Sequence, residues 1–335
     1  KYRRAICGTS CKALLIKINM NAPLHEVPTA QDIESAAQRI APFINRTPSF
    51  SSLRFNELTS GDYIFKGEHL QLTGAFKARG AMNAVLVNKE TAADSGVITH
   101  SSGNHGAALA WAASQVGAKA FIIMPSNAPK SKIAAVKHYG GIITFCEPNL
   151  EARESTASQV QKETGALLIH PYDNYDIIAG QATATYELLQ DNPDIEHLFV
   201  PVGGGGLLSG AALANYFFGN AKIYGCEPEL ARDAHDGFLT GKRVIVNNSD
   251  TIADGLKTSL GEKNFPIIKS YVSQIILLTE KEIENGWHTC LETTKQFIEP
   301  SAATGVAAAL KTQFTGKCGI ILCGGNMDVR KFALR

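Results

Sequence analysis

The chain has 335 residues, 44% hydrophobic and 19% charged. That suits one large or two medium domains with a substantial core, and carries no disorder signature. Thirty-two Lys and Arg against 31 Asp and Glu leave a net charge of +1, so there is no electrostatic case for nucleic acid as the main partner. The longest apolar run, Ala107 to Ala113, is far short of the ~18 residues a membrane span requires. Seven scattered cysteines form neither a disulfide framework nor a zinc-ribbon pattern, and a reduced, cytoplasmic protein is expected.

Residues 1–24 hold Lys1, Arg3, Arg4, Lys12 and Lys17, and no acid occurs before Glu26. This is the pattern of a targeting segment or of a leader upstream of Met20, and a tail outside the fold is expected. From Thr29 the pattern turns helical. Thr29 and Asp32 suit a capping box, and Ile33, Ala36, Ala37, Ile40 and Ile44 follow helical spacing. A strand is predicted at 63–66 and a helix at 75–87. Strands then alternate with helices. The strands are predicted at 97–100, 120–124, 142–145, 197–202, 222–226, 274–278 and 319–323. The helices are predicted at 104–115, 130–139, 150–163, 175–189, 207–217, 281–294 and 302–312. Apolar strands alternating with helices imply an α/β fold whose parallel sheets are covered on both faces.

In such sheets, ligands sit beyond the C-terminal ends of the strands. Three polar or Gly-rich clusters fall there: His100 to Gly106, Gly203 to Gly206, and Cys323 to Asn326. Pro201-Val202 followed by four glycines and Leu207 joins a strand to a helix. One or two glycines would make the turn, so four point to backbone N–H groups converging on a phosphate. A P-loop is excluded, because no Lys-Ser/Thr follows the glycines. A dinucleotide fingerprint fits poorly, although Glu227 lies about 20 residues on.

Lys77 stands at a predicted helix start, beside Phe76 and between Gly74 and Gly80. A lone lysine is usually a solvated charge, but a partly buried one has a depressed pKa and can form a Schiff base. Ser101-Ser102-Gly103-Asn104-His105 gathers hydroxyls, an amide and an imidazole at a helix N-terminus, which suits a carboxylate. A helix cap alone would need one such residue. A reactive lysine, a phosphate cradle and a carboxylate loop together suggest pyridoxal phosphate and an amino acid.

On these segments the sequence resembles the serine racemase and serine/threonine dehydratase family, within the tryptophan-synthase-β-like, fold type II enzymes of pyridoxal phosphate. The resemblance covers roughly residues 29–328. Lys66-Gly67-Glu68 with Gln71 to Asn83, Ser101 to Gly106, Pro201 to Leu207 and Cys323 to Asp328 carry it. It implies a large cofactor-binding domain with a twisted, mostly parallel sheet (residues 25–95 and 172–335). A smaller, doubly wound α/β domain that closes on substrate (residues 96–171) completes the fold.

The resemblance further implies that Lys77 carries the cofactor and serves as base on one face of the substrate Cα. Phe76 packs on the ring, Asn104 bonds the ring hydroxyl, Gly203, Gly204, Gly205, Gly206 and Leu207 hold the phosphate, and Cys323 faces the pyridine nitrogen. Ser101, Ser102, Asn104 and His105 contact the substrate, with Arg153 and Thr258 nearby. Ser102 matters most, because racemisation needs a second acid/base group on the face opposite Lys77. Glu227, Ala231 and Asp233 match the family's activating cation loop. Two carboxylates, a carbonyl and waters make the oxygen shell that Mg²⁺ or Ca²⁺ (or Mn²⁺) takes. A homodimer and activation by ATP are implied by the same resemblance.

Ala75 stands where the family commonly has Ser, and Tyr172 matches the aromatic of many dehydratases. These departures favour an enzyme that both racemises serine and dehydrates serine or threonine. The alternatives are a dedicated L-serine/L-threonine ammonia-lyase, a 3-hydroxyaspartate dehydratase, and a non-catalytic amino-acid or nucleotide sensor.

Overall fold

The structure is a computed structural model and describes residues 24, 26–101, 103–246 and 249–328. The expected N-terminal tail (residue 24 apart) and Ser102, expected to act as an acid/base, therefore lie outside the described residues. Helix α1 (Ala30–Ile40) leads to strand β1 (Ser49–Ser51), helix α2 (Leu53–Thr59) and strand β2 (Asp62–Lys66). Helices α3 (Lys77–Val87) and α4 (Lys89–Ser95) precede β3 (Val97–His100), α5 (Asn104–Gln115), β4 (Ala120–Pro125), α6 (Lys130–His138), β5 (Ile142–Cys146), α7 (Leu150–Thr164) and β6 (Leu167–Leu168). The chain continues through α8 (Tyr175–Asp191), β7 (His197–Pro201), α9 (Gly206–Phe218), β8 (Lys222–Pro228) and α10 (Asp233–Thr240). It ends with α11 (Asn264–Tyr271), β9 (Gln274–Leu278), α12 (Glu280–Thr294), α13 (Pro300–Thr312) and β10 (Lys317–Ile321).

Two sheets result. The larger has the order β1-β2-β10-β7-β8-β9, parallel except for the antiparallel edge strand β1. The smaller, β5-β4-β3-β6, is parallel throughout. In the smaller sheet β3 lies between β4 and β6, so the chain leaves β3 where the winding reverses direction. In the larger sheet β10 inserts between β2 and β7, which sets the loops after β7 and β10 side by side. Both places are the crevices where doubly wound sheets bind ligands.

Local chemistry explains the elements. Thr29 and Asp32 make the reciprocal capping box that starts α1. Ala-rich α5 and α13 are buried on nearly every side. Helices α3 and α8 cross at Gly80 and Gly180, where a Cβ on Gly180 would stand 2.6 Å from the Gly80 Cα.

Several predicted boundaries shift by one or two residues, and two of the shifts bear on the site. Helix α3 begins at Lys77, not at residue 75, because Ala75 is extended and bridges to Gly324. Strand β10 ends at Ile321, and the Cys323 carbonyl instead accepts the Phe76 N–H at 3.0 Å. The structure also adds β1, α2, α4, β6, α10 and α11, each eight residues or fewer, for which the sequence pattern was too short to read.

Candidate active site

The approach to Lys77 is a tight turn. Thr73 and Gly74 take left-handed angles (φ 63° and 72°), and the chain then bridges to the segment after β10. This stitching places Lys77 as the first residue of α3, facing the cleft between the two sheets. Its Nζ donates to the Pro171 carbonyl at 2.9 Å, and no carboxylate lies within ion-pair distance among the described residues. The side chain meets the cleft, yet burial pushes its pKa down to about 8, against the pull of Cys323 and Glu299.

One pocket gathers the described residues expected to meet cofactor or substrate. Phe76, Lys77, Gly203 to Leu207 and Cys323 line one side. Ser101, Asn104, His105 and Arg153 come from the loop after β3 and from α5 and α7. Thr258 enters from the segment before α11. The glycine run packs more tightly than a turn demands. A Cβ on Gly204 would stand 2.4 Å from the Tyr172 ring, and Gly205 has a φ of 96°. Neighbouring protein therefore requires glycine here, and what could hold a phosphate is the first N–H groups of α9, which have no acceptor within the helix.

Asn104 opens α5, and its Nδ2 donates to both oxygens of Glu299, at 3.0 and 3.1 Å. Its Oδ1 accepts from Asn326 Nδ2 at 3.1 Å. The His105 ring is buried, with Nε2 3.4 Å from the Ile169 carbonyl and Nδ1 without a partner among the described residues. Burial and the nearby Lys77 charge hold it neutral, well below the usual imidazole range. Burial raises the Cys323 thiol well above its ordinary value, and Glu299 adds to the effect.

A model of the family described as "Pyridoxal-phosphate dependent enzyme" matches residues 40–324. The chain belongs to this family. Among its relatives, the serine racemase of Oryza sativa subsp. indica is 42% identical over 306 residues, 89% of this chain and 90% of that protein. The L-threo-3-hydroxyaspartate ammonia-lyase of Saccharomyces cerevisiae is 43% identical over 312 residues, 92% of this chain and 96% of that protein. The solved structure of maize serine racemase superposes with a TM-score of 0.87 at 40% identity, covering 91% of this chain and 96% of that one. The fold is that of the type II pyridoxal-phosphate enzymes.

The pocket fits the family's cofactor. Among the described residues it offers an amine with no ion-pair partner for the aldehyde, unbonded helix N–H groups for the phosphate, and Asn104 and Cys323 for the polar atoms of the ring. The cation-loop residues lie elsewhere. Glu227, next to last in β8, has both oxygens on backbone N–H groups, those of Ala234 and His235, each at 2.8 Å. Asp233 opens α10 and accepts the Leu260 N–H at 2.8 Å, and Ala231 ends the intervening 3₁₀ turn. Burial raises both carboxyls, Glu227 well above its ordinary value and Asp233 to about 7. Among the described residues no group of three or more His, Cys, Asp or Glu side chains forms a metal cluster, so a cation here would also need the Ala231 carbonyl and water.

Sequence reasoning missed Glu299, Lys132 and Asp254 at this site. Glu299 is buried against Asn104, and its position before Pro300 at a helix start was the available signal. Lys132 and Asp254 form an ion pair across the mouth of the pocket. His100 packs edge-on against His170, which in turn meets Tyr172.

Proposed function

We propose that this enzyme interconverts L- and D-serine and also eliminates water from L-serine (and L-threonine), serine giving pyruvate and ammonia. Lys77 carries the reading. Its amine has no carboxylate within ion-pair distance among the described residues, and a pKa near 8 makes it both a base close to neutral pH and a nucleophile toward an aldehyde. Kinship to serine racemases at 42% identity supports the same substrate.

Bound in this pocket, pyridoxal phosphate supplies an electron sink that acidifies the Cα–H of an amino acid. Lys77 would hold it and take the Cα proton on one face. Ser102 would return a proton on the opposite face, which inverts the centre. Elimination uses the Lys77 face alone, as a proton leaves Cα and hydroxide leaves Cβ. Gly203 to Leu207 would hold the phosphate, Phe76 would pack on the ring and Asn104 would donate to its hydroxyl. Cys323 stays a neutral thiol toward the ring nitrogen, which makes the ring a weaker sink and favours proton exchange and elimination. Ser101, Ser102, Asn104 and His105 would bind the carboxylate, with Thr258 close by. His105 would do so through its backbone N–H, since its ring is neutral and turned to Ile169.

Residues 96–171 would close over the substrate, with residues 25–95 and 172–335 holding the cofactor. The ion pair of Lys132 with Asp254 across the pocket mouth supports that division. Glu227, Ala231 and Asp233 would take Mg²⁺ or Ca²⁺ as an activator. Two buried carboxyls with no ion-pair partner among the described residues support it, because a cation would favour their charged forms. A homodimer, activation by ATP and a cytoplasmic location complete the reading and rest on the family resemblance and the cysteine pattern. Among the described residues no helix is long and apolar enough to cross a membrane.

A second reading, elimination from a 3-hydroxyaspartate, has one observation in its favour. Arg153 lines the pocket, donates from Nε to its own helix at Asn149, and meets no carboxylate within ion-pair distance among the described residues. An unpaired guanidinium suits a second carboxylate on the substrate.

The test is incubation with L-serine, pyridoxal phosphate and Mg²⁺, following D-serine and pyruvate together, with L-threo-3-hydroxyaspartate as a competing substrate. Both products are expected from L-serine. Ser102→Ala should lose racemisation by about 10²–10⁴-fold and spare elimination. Equal loss of both activities refutes the Ser102 role, and pyruvate without D-serine makes the enzyme an ammonia-lyase.

A further inference from the structure

Glu299 is the N-cap of α13, yet it makes no side-chain bond to that helix. A carboxylate at an N-cap ordinarily accepts from the next two or three backbone N–H groups. Here it turns into the cleft and binds both oxygens to Asn104 Nδ2. It is 2% exposed, so its charge sits away from water at a real cost. Its backbone is fixed as well, because the Glu299 N–H donates to the Gly324 carbonyl at 2.9 Å. On the far side of the amide, Asn326 Nδ2 donates to Asn104 Oδ1 and to the Thr73 carbonyl at 2.6 Å. Asn104 is thus gripped from α13 and from the segment after β10.

The grip decides which way the amide points. An ionised carboxylate can only accept, so it requires the NH₂ end of Asn104. Asn326 presents a donor and requires the oxygen end. The Asn104 nitrogen has two hydrogens, and the carboxylate occupies one direction. The second hydrogen is left for an acceptor in the pocket that Asn104 lines.

We propose that Glu299 is a positioning residue, whose ionised carboxylate holds Asn104 with an N–H toward the ring oxygen of the cofactor and so strengthens cofactor binding. The inference rests on the reading that Asn104 meets that oxygen. A protonated Glu299 would offer an O–H and no longer demand the NH₂ end, so its hold on Asn104 weakens as it takes up a proton. Burial, with Asp254 adding to it, raises the carboxyl to about 7, which puts that change in an accessible range. The charged and titratable groups facing Glu299 are Lys77 at the start of α3, Cys323 after β10, Lys132 on α6 and Asp254 before α11. Of these, Lys77 with a pKa of about 8 is the nearest in range, and Glu299 pulls it upward, so losing that charge in Glu299→Gln lowers it and works against the weaker binding expected below.

The experiment measures the dissociation constant of pyridoxal phosphate for the apo full-length chain, by fluorescence and absorbance titration, from pH 5.5 to 8.5. Wild type is compared with Glu299→Gln, which keeps shape and loses charge. At pH 8.5 the variant should bind roughly ten- to a hundredfold more weakly, the range of one charge-assisted hydrogen bond. The gap should close toward pH 5.5, where wild-type Glu299 is itself protonated. A gap of equal size at both ends would mean a merely structural role, and no gap would mean no role. Either overturns the proposal. Should Glu299→Gln not fold, Glu299→Asp retains a carboxylate and should retain the pH step. A flat profile in that variant, or in wild type, overturns the proposal as well. Failure of wild type to bind pyridoxal phosphate at any pH would instead refute the cofactor reading.

Discussion

Lys77 and Arg79 share the first turn of α3 and meet opposite surroundings. The Arg79 side chain is fully buried and is bonded on every side. Its Nε and Nη2 reach the two oxygens of Glu68 at 2.7 and 2.8 Å. Its Nη1 and Nη2 reach the two oxygens of Glu187, each at 2.8 Å, with Thr47 and Thr183 in contact. Lys66 closes the cluster on Glu187 at 2.7 Å. Burial opposes the Arg79 charge, and Glu68 and Glu187 more than offset it. Lys77 meets a single carbonyl, and burial prevails. A buried charge with complete partners fixes structure, whereas one with almost none remains chemically available. The network clamps the end of β2 and α8 to α3, and so sets the direction in which Lys77 projects.

The largest effect should come from Arg79→Met. It leaves Glu68 and Glu187 buried with Lys66 as their only cation among the described residues, and removing one partner of such a cluster costs about 3–5 kcal/mol. Denaturant unfolding of the apo protein would check this, and a loss below about 1 kcal/mol would show that the cluster is slack. Lys77→Met should do the reverse to stability. It removes an amine that burial already disfavours, so the apo protein should gain about 1–3 kcal/mol at pH 7, discounted for the exposure of the side chain to the cleft. Activity should fall by at least about 10²–10⁴-fold, and the visible absorbance of a lysine-bound cofactor should vanish. The sign with pH follows. Between about pH 8 and the ordinary lysine value of 10.5, the unfolded chain binds more protons at this residue than the folded one. Wild-type stability should therefore rise with pH across that window relative to Lys77→Met. Melting curves of the two proteins at pH 7.5 and 10 measure it, and parallel shifts would refute it.

The contrast between the two residues also marks what could be read without coordinates. Strand ends were legible because their signals are local. The strands Val97–His100 and Gln274–Leu278 fall where the apolar pattern puts them, and the ligand loops follow strand ends directly. Lys77, the glycine run and the Ser-Asn loop were legible because each is a short run with unusual composition. The Arg79 cluster was not, although Lys66, Glu68 and Arg79 all stand within motifs that drew attention. Its fourth member, Glu187, lies more than 100 residues away on α8, and nothing in a linear pattern distinguishes a buried arginine from a solvated one. The pairing of Asn104 with Glu299 spans 195 residues and was hidden for the same reason. Short elements failed differently. Helix α11 carries a proline in its first turn, and β6 is two residues long, too brief for any period to show.

Chelation probes a third kind of buried charge. Glu227 and Asp233 have backbone N–H partners and no ion-pair partner among the described residues, midway between Arg79 and Lys77. A cation held there stabilises only the folded chain. Its removal from a solution at a hundred times the dissociation constant should cost about 2.7 kcal/mol. Calorimetry before and after exhaustive chelation, with metal content assayed, reads that loss, and an unchanged melting point would remove the site. Glu227→Gln should abolish the difference between the two conditions.

The smallest effect should lie at the pocket mouth. The Lys132 and Asp254 side chains are 14% and 43% exposed, so their ion pair is largely hydrated on one side. Such pairs contribute about 0.2–1 kcal/mol. If this pair helps to hold residues 96–171 over the substrate, Lys132→Ala should raise KM two- to fivefold, within the range that energy allows, and leave the thermal midpoint nearly unchanged. Asp254→Ala should do the same, and the double variant should add little, because both remove one interaction. Salt should erase the difference from wild type, since a pair open to solvent is screened while the Arg79 cluster is not. Additive effects of the two substitutions would mean that Lys132 and Asp254 act separately, Lys132 on the substrate itself and Asp254 through Glu299, whose pKa it helps to raise.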